Sequence, residues 1–153
     1  MIKKTITWED YNGENRTEDF YFGFNEAELM KMDLKTPGGF EAFCERIVQT
    51  KDFNGMVDLL DELIMKSYGI KTPDGRAFHK SEELSKEFME TGAYVELVKE
   101  LLSGEDKVTP FIEGVIPRKM IAQAKLAQAK REKEEEEKRL ATAKEEAAST
   151  VTG

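Results

Sequence analysis

The sequence predicts an α+β fold, mostly helical: an N-terminal β-hairpin packed on a bundle of five or six short helices, followed by a long charged C-terminal helix. Three observations predict it. On either side of Asn12-Gly13 apolar residues alternate with polar ones, the period-two pattern of strands with one buried face. Between residues 25 and 117, apolar residues recur at helical spacing between capping and turn residues, as in helices that bury one stripe. After Pro117 the chain is nearly all Ala, Lys, Arg, Glu, Gln and Leu, the strongest helix formers.

The hairpin comes first. Ile2, Ile6 and Trp8 alternate with Lys3, Thr5 and Thr7. Tyr11-Asn12-Gly13-Glu14 supplies the turn, because Asn-Gly tolerates positive φ. The return strand, 16–22, places Phe20 and Phe22 on one parity, so that Trp8, Phe20 and Phe22 face helices beneath.

The helices follow in order. Asn25, with Glu28 three residues on, has the pattern of a capping box and opens a helix over about 25–33 carrying Leu29, Met30 and Met32. A second begins near Gly39, with Phe40, Phe43, Cys44, Ile47 and Val48 on one stripe. A third spans about 53–68 with Phe53, Met56, Val57, Leu60, Leu63 and Ile64 inward and Asp58, Asp61 and Glu62 outward. Gly69 is its expected C-cap. Thr72-Pro73-Asp74-Gly75-Arg76 is turn chemistry, after which Ser81 caps a short helix burying Leu84 and Phe88. Tyr94, Leu97, Val98, Leu101 and Leu102 mark the next, stopped by Ser103-Gly104. Thr109-Pro110 is expected as an N-cap followed by proline at the first helical position, leading into Phe111, Ile112, Val115 and Ile116.

The expected organisation is a folded domain over 1–117, a projecting charged helix over 118–148 and a disordered end over 149–153. In the charged helix Glu134–Lys138 and Glu135–Arg139 stand at i, i+4 in the favourable order. Its apolar anchors are sparse: Met120, Ile121, Leu126 and Leu140. They do not sustain the three or four heptads of a coiled coil.

Composition narrows the function classes. The chain has 153 residues and a net charge of −8, with 35% charged residues. Residues 118–153 carry nine basic and seven acidic side chains; the other 14 and 24 fall in 1–117, giving net charges of +2 and −10. An acidic domain repels phosphate backbones, so no nucleic acid is expected as partner. No run of about 18 apolar residues is present, so no membrane span is expected. Met1-Ile2-Lys3-Lys4-Thr5 leads into no apolar segment, so no secretory signal is expected. A lone cysteine, Cys44, makes no internal disulfide, and a reducing cytoplasm is the expected setting.

Reactive residues lack constellations. His79 is the sole histidine and stands just before the Ser81 cap; a site needs partners at defined spacing, so a surface or capping role is expected. Cys44 shares the stripe of Phe40 and Ile47 and has no evident base, so it is expected in the core. Pro37-Gly38-Gly39 lacks the Lys-Ser/Thr of a phosphate loop, and Asp74-Gly75-Arg76 lacks the other oxygen ligands of a calcium loop. Asn15-Arg16-Thr17 is an accidental glycosylation match. No enzyme, no cofactor and no metal is expected.

Certain strings say more. Arg16-Thr17-Glu18-Asp19-Phe20-Tyr21-Phe22 and Ala27-Glu28-Leu29-Met30 come first. Leu63-Ile64-Met65-Lys66-Ser67-Tyr68-Gly69, Thr72-Pro73-Asp74-Gly75-Arg76 and Phe78-His79-Lys80-Ser81 continue the series. Glu90-Thr91-Gly92-Ala93-Tyr94 and Phe111-Ile112-Glu113-Gly114-Val115-Ile116-Pro117 complete it. Together, over about 1–117, they resemble the tail assembly chaperones of long-tailed, siphovirus-type bacteriophages. The stretch after Pro117 is not part of the resemblance.

The resemblance implies a non-enzymatic helper that binds the tape measure protein, keeps it soluble and helps recruit tail tube subunits. It also implies residence in the host bacterial cytoplasm, absence from the mature virion, and a C-terminally extended frameshift form as a further partner. Met120, Ile121, Leu126 and Leu140 are the candidate partner-binding residues. A minor structural or connector protein of the particle is the competing reading, and a helical transcription regulator a weaker one, since the folded part lacks a basic face.

Overall fold

A computed structural model describes residues 1–151, with side chains except at Val48, Glu105, Ile121, Gln123, Ala124, Lys125, Thr150 and Val151. The chain divides into two units, Met1–Pro117 and a second beginning at Arg118.

The first unit opens with β1 (Ile2–Glu9) and β2 (Asn15–Phe22), paired antiparallel from Ile2↔Phe22 to Glu9↔Asn15. The loop has five residues, 10–14, so it takes in the expected turn with Asp10 added, and only Gly13 in it has a positive φ, 81°. Asp10 organises it: its Oδ1 accepts from the Asn12 and Glu14 amides, both at 2.9 Å, and its Oδ2 accepts from Arg16 Nε at 2.7 Å. Ile6, Trp8 and Phe22 are buried on one face. On the other, Thr5 donates to Asp19 and Thr7 bonds Thr17 in the open.

Six helices follow in this unit, namely α1 (Glu26–Lys35), α2 (Gly39–Gln49), α3 (Phe53–Ser67), α4 (Glu82–Met89), α5 (Gly92–Leu102) and α6 (Glu105–Val115). Asn25 caps α1 by accepting from the Glu28 amide at 2.8 Å, and Ser81 caps α4 by accepting from Leu84 at 3.1 Å. The aromatic core forms where sheet meets helices. Phe22 lies edge-on to Phe88 and Phe111, with centroids 5.5 and 5.4 Å away, and Phe20 leans on Trp8 and Phe88. A Cβ on Gly92, the first residue of α5, would stand 2.8 Å from the Trp8 ring. That glycine lets α5 close onto β1.

The sheet is larger than the expected hairpin. Between α3 and α4 lie β3 (Tyr68–Lys71) and β4 (Phe78–His79), joined through the Thr72–Arg76 turn. The order is β1-β2-β3-β4, all neighbours antiparallel, with Tyr21↔Gly69 and Phe22↔Tyr68 joining the two hairpins. Gly69 is therefore a strand residue and not the cap of α3. Its own position explains the glycine: a Cβ there would stand 2.7 Å from the Phe78 ring and 2.9 Å from the His79 carbonyl.

Without a glycine cap, α3 ends on donors from elsewhere. Helix ends leave carbonyls without intrahelical partners. Here Ser85 Oγ donates to the Met65 carbonyl (2.7 Å) and Lys80 Nζ to that of Lys66 (3.0 Å), while within the helix Ser67 Oγ donates to the Leu63 carbonyl (2.6 Å). The Gly23 amide takes the Ser67 carbonyl at 2.8 Å.

The Thr109-Pro110 expectation is corrected. Helix α6 starts at Glu105, which puts Pro110 inside it, at the sixth position. Proline there removes one i→i−4 bond. Burial outweighs that loss, because Val108, Phe111, Ile112 and Val115 form one stripe, all at most 7% exposed. Val108 is the stripe residue that the proline signal obscures.

The second unit contains α7 (Arg118–Val151). The end expected to be disordered is helical through Val151, as the alanines at 147 and 148 favour, and residues 152–153 lie outside the described residues. At roughly 1.5 Å per residue, its 34 residues extend about 51 Å.

Candidate partner-binding surface

Among the described residues no three of His, Cys, Asp and Glu are grouped as metal ligands. His79 is exposed on β4. Cys44 is corrected from core to rim: it is half-buried and lines a cleft of about 330 Å³ between α2 and α6, beside Glu41, Glu45, Ile112 and Glu113. Burial, and then the Glu41 charge, push its thiol up to about 12. A thiol held protonated is a poor nucleophile.

Lys80 is a heavily partnered charge of the first unit. Its Nζ donates to Glu28 Oε2 at 2.6 Å and to the Lys66 carbonyl, and it stands 4.5 Å from the Phe24 ring centroid and 5.5 Å from that of Phe78. Burial lowers its pKa below the ordinary lysine value, against the opposing pull of Glu28. Phe24 apart, these residues belong to three of the strings that carry the family resemblance. Their geometry is that of a joint between α1, the end of α3 and the second hairpin.

Tyr94 is a second joint. Its hydroxyl donates to Asp61 across α5 and α3, so Asp61 is half-buried rather than outward. Burial first, and the Asp61 bond second, raise the phenol's pKa.

Exposed apolar side chains remain, and where they form contiguous patches such groups mark interaction sites. On α7 every described side chain from 126 to 149 is exposed, Leu126 at 72% and Leu140 at 57%. These two are 14 residues apart, close to four helical turns, and share a face. Met120 is half-buried and points to another side, since six residues before Leu126 is well short of two turns. The Ile121 side chain lies outside the described residues. The structure thus brings two of the four sequence candidates together.

The first unit adds a patch that sequence reasoning missed. On α1, Leu29 is buried while Met30 and Leu34, at i and i+4, are 64% and 88% exposed. Ending the helix near residue 33 left Leu34 out of it; the spacing of Met30 to Leu34 was the available signal. No described helix is long and apolar enough to cross a membrane.

The surface so described is one of apolar side chains carried on helices amid charge. The family model of the phage tail assembly chaperones matches residues 1–153, and the chain belongs to that family. The match takes in residues 118–153, so the charged helix is within the family pattern although the sequence strings stop at Pro117. No curated protein and no solved structure matches the chain.

Proposed function

We propose that this chaperone binds the tape measure protein of its phage, keeps it soluble in the host cytoplasm and helps recruit tail tube subunits, leaving before the virion is complete. The observation that carries the reading is the exposed pair Leu126 and Leu140 on one face of α7, within charged, wet neighbours. A long apolar-sided helical client exposes patches that drive aggregation. Two leucines and adjoining alanines give contacts strong enough to cover such a patch and weak enough to release it. The net charge of −10 on residues 1–117 supports solubility of the loaded complex. The role is non-enzymatic, and a C-terminally extended frameshift form is a further partner.

Co-expression of the two proteins tests this. The tape measure protein is expected in the soluble fraction beside the wild-type chain and in the pellet beside Leu126→Glu/Leu140→Glu. A soluble client beside both moves the contact to the first unit, where Met30 and Leu34 are exposed. An insoluble client beside both contradicts the reading.

A further inference from the structure

Helix α7 carries a finer pattern once alanines count as packing residues. Leu126, Ala129, Lys133, Glu136, Leu140 and Ala143 follow one another at steps of three and four, the spacing of a heptad seam. Charge is segregated along the same helix. Residues 118–133 hold six basic and one acidic side chain, a net of +5, while 134–151 hold three basic and six acidic, a net of −3.

We propose that this seam pairs with the α7 of a second copy, running antiparallel. With Leu126 set against Ala143 of the second copy, Ala129 falls against Leu140, so each large side chain meets a small one. In the centre Lys133 falls against Glu136, opposite charges at the one polar layer. Beside the seam, Lys130 meets Glu137 and Glu132 meets Arg139, again opposite in sign. Two-fold symmetry repeats every one of these contacts. In the structure Glu132 accepts from Gln128 Nε2 at 3.2 Å, a single exposed bond that leaves the carboxylate with further acceptor capacity.

The same residues argue against the parallel arrangement. In register, a parallel pair stacks Lys133 on Lys133 and Glu136 on Glu136. It also sets Glu132 beside Glu137 and Arg139 beside Lys144, like charges at the flanking positions that choose partner and orientation. A seam of two leucines with alanines makes the antiparallel dimer weak and reversible. It occupies the face that the client is proposed to use, so client and second copy compete. The pairing itself needs no client and stands apart from that reading.

Sedimentation velocity of the purified full chain over a concentration series tests it, at low ionic strength where surface charges are least screened. A monomer–dimer equilibrium is expected. Lys130→Glu turns two attractive pairs repulsive and weakens the dimer about tenfold, and adding Glu137→Lys restores the wild-type constant. Orientation is read by cross-linking in a Cys44→Ser background. Leu126→Cys alone does not oxidise to a dimer, its two copies being about 25 Å apart, whereas a mixture with Ala143→Cys does. A monomer at every concentration, a dimer indifferent to Lys130→Glu, or ready cross-linking of Leu126→Cys alone overturns the proposal; the first outcome leaves the seam to a client helix.

Discussion

Lys80 Nζ stands 2.6 Å from Glu28 Oε2, 52 residues away in sequence, and 3.0 Å from the Lys66 carbonyl, tying the start of α1 to the end of α3. A cation at a helix C-terminus also meets the negative end of its dipole. Lys80→Met is expected to cost about 2 kcal/mol, from the lost bonds and the lost contact with the Phe24 ring. Ser85→Ala, which leaves the Met65 carbonyl without its hydroxyl donor, is expected to cost about 1 kcal/mol. Urea unfolding of each variant checks both; wild-type midpoints would show that α3 does not depend on these donors.

Gly69→Ala is expected to destabilise by about 2–3 kcal/mol. The added methyl would meet the Phe78 ring and the His79 carbonyl, both within 3 Å. The comparison that matters is with Gly75→Ala, where nothing lies within 4 Å and the cost comes from its φ of 75° alone. Loss of β3–β4 amide protection in Gly69→Ala, with protection kept in Gly75→Ala, is the expected exchange pattern.

Tyr94 and Asp61 give a pH dependence of definite sign. The folded chain raises the Tyr94 pKa above its ordinary value of 10, so it holds that proton more tightly than the unfolded chain. The Tyr94 contribution to stability is therefore whole below pH 10 and is lost as pH rises through the folded value. Tyr94→Phe is expected to cost about 1 kcal/mol near neutrality and to flatten the alkaline fall. An unchanged slope above pH 10 would assign that fall to other groups.

Division of the chain at Pro117 predicts that a chain ending there unfolds in urea at the midpoint of the full chain. A lowered midpoint would show that α7 stabilises the first unit.

The first hairpin was legible because eight-residue strands give alternation room to show and Asn12-Gly13 marks the turn. The second was not. With four and two residues, β3 and β4 fall below any periodic signal, and a glycine after an apolar stripe imitates a helix cap. The donors that end α3 come from Ser85, Lys80 and Gly23, far along the chain, and no local rule finds them. Thr109-Pro110 misled for the opposite reason: a strong local start signal was overridden by burial of Val108. On the surface, the exposure of Leu126 and Leu140 follows from their polar neighbours, whereas grouping them with Met120 ignored the helical period. The Met30–Leu34 patch was hidden because the helix was read to end near residue 33, whereas α1 runs on to Lys35 and takes in Leu34.

The central claim is that this chain holds the tape measure protein in solution while a tail is built. The most direct measurement is the soluble fraction of tape measure protein in infected cells, with the gene for this chain intact or interrupted by an early stop. The account predicts that the tape measure protein moves to the insoluble fraction without this chain and returns when the chain is supplied from a plasmid. Tape measure protein that stays soluble at its normal level without this chain would contradict the account.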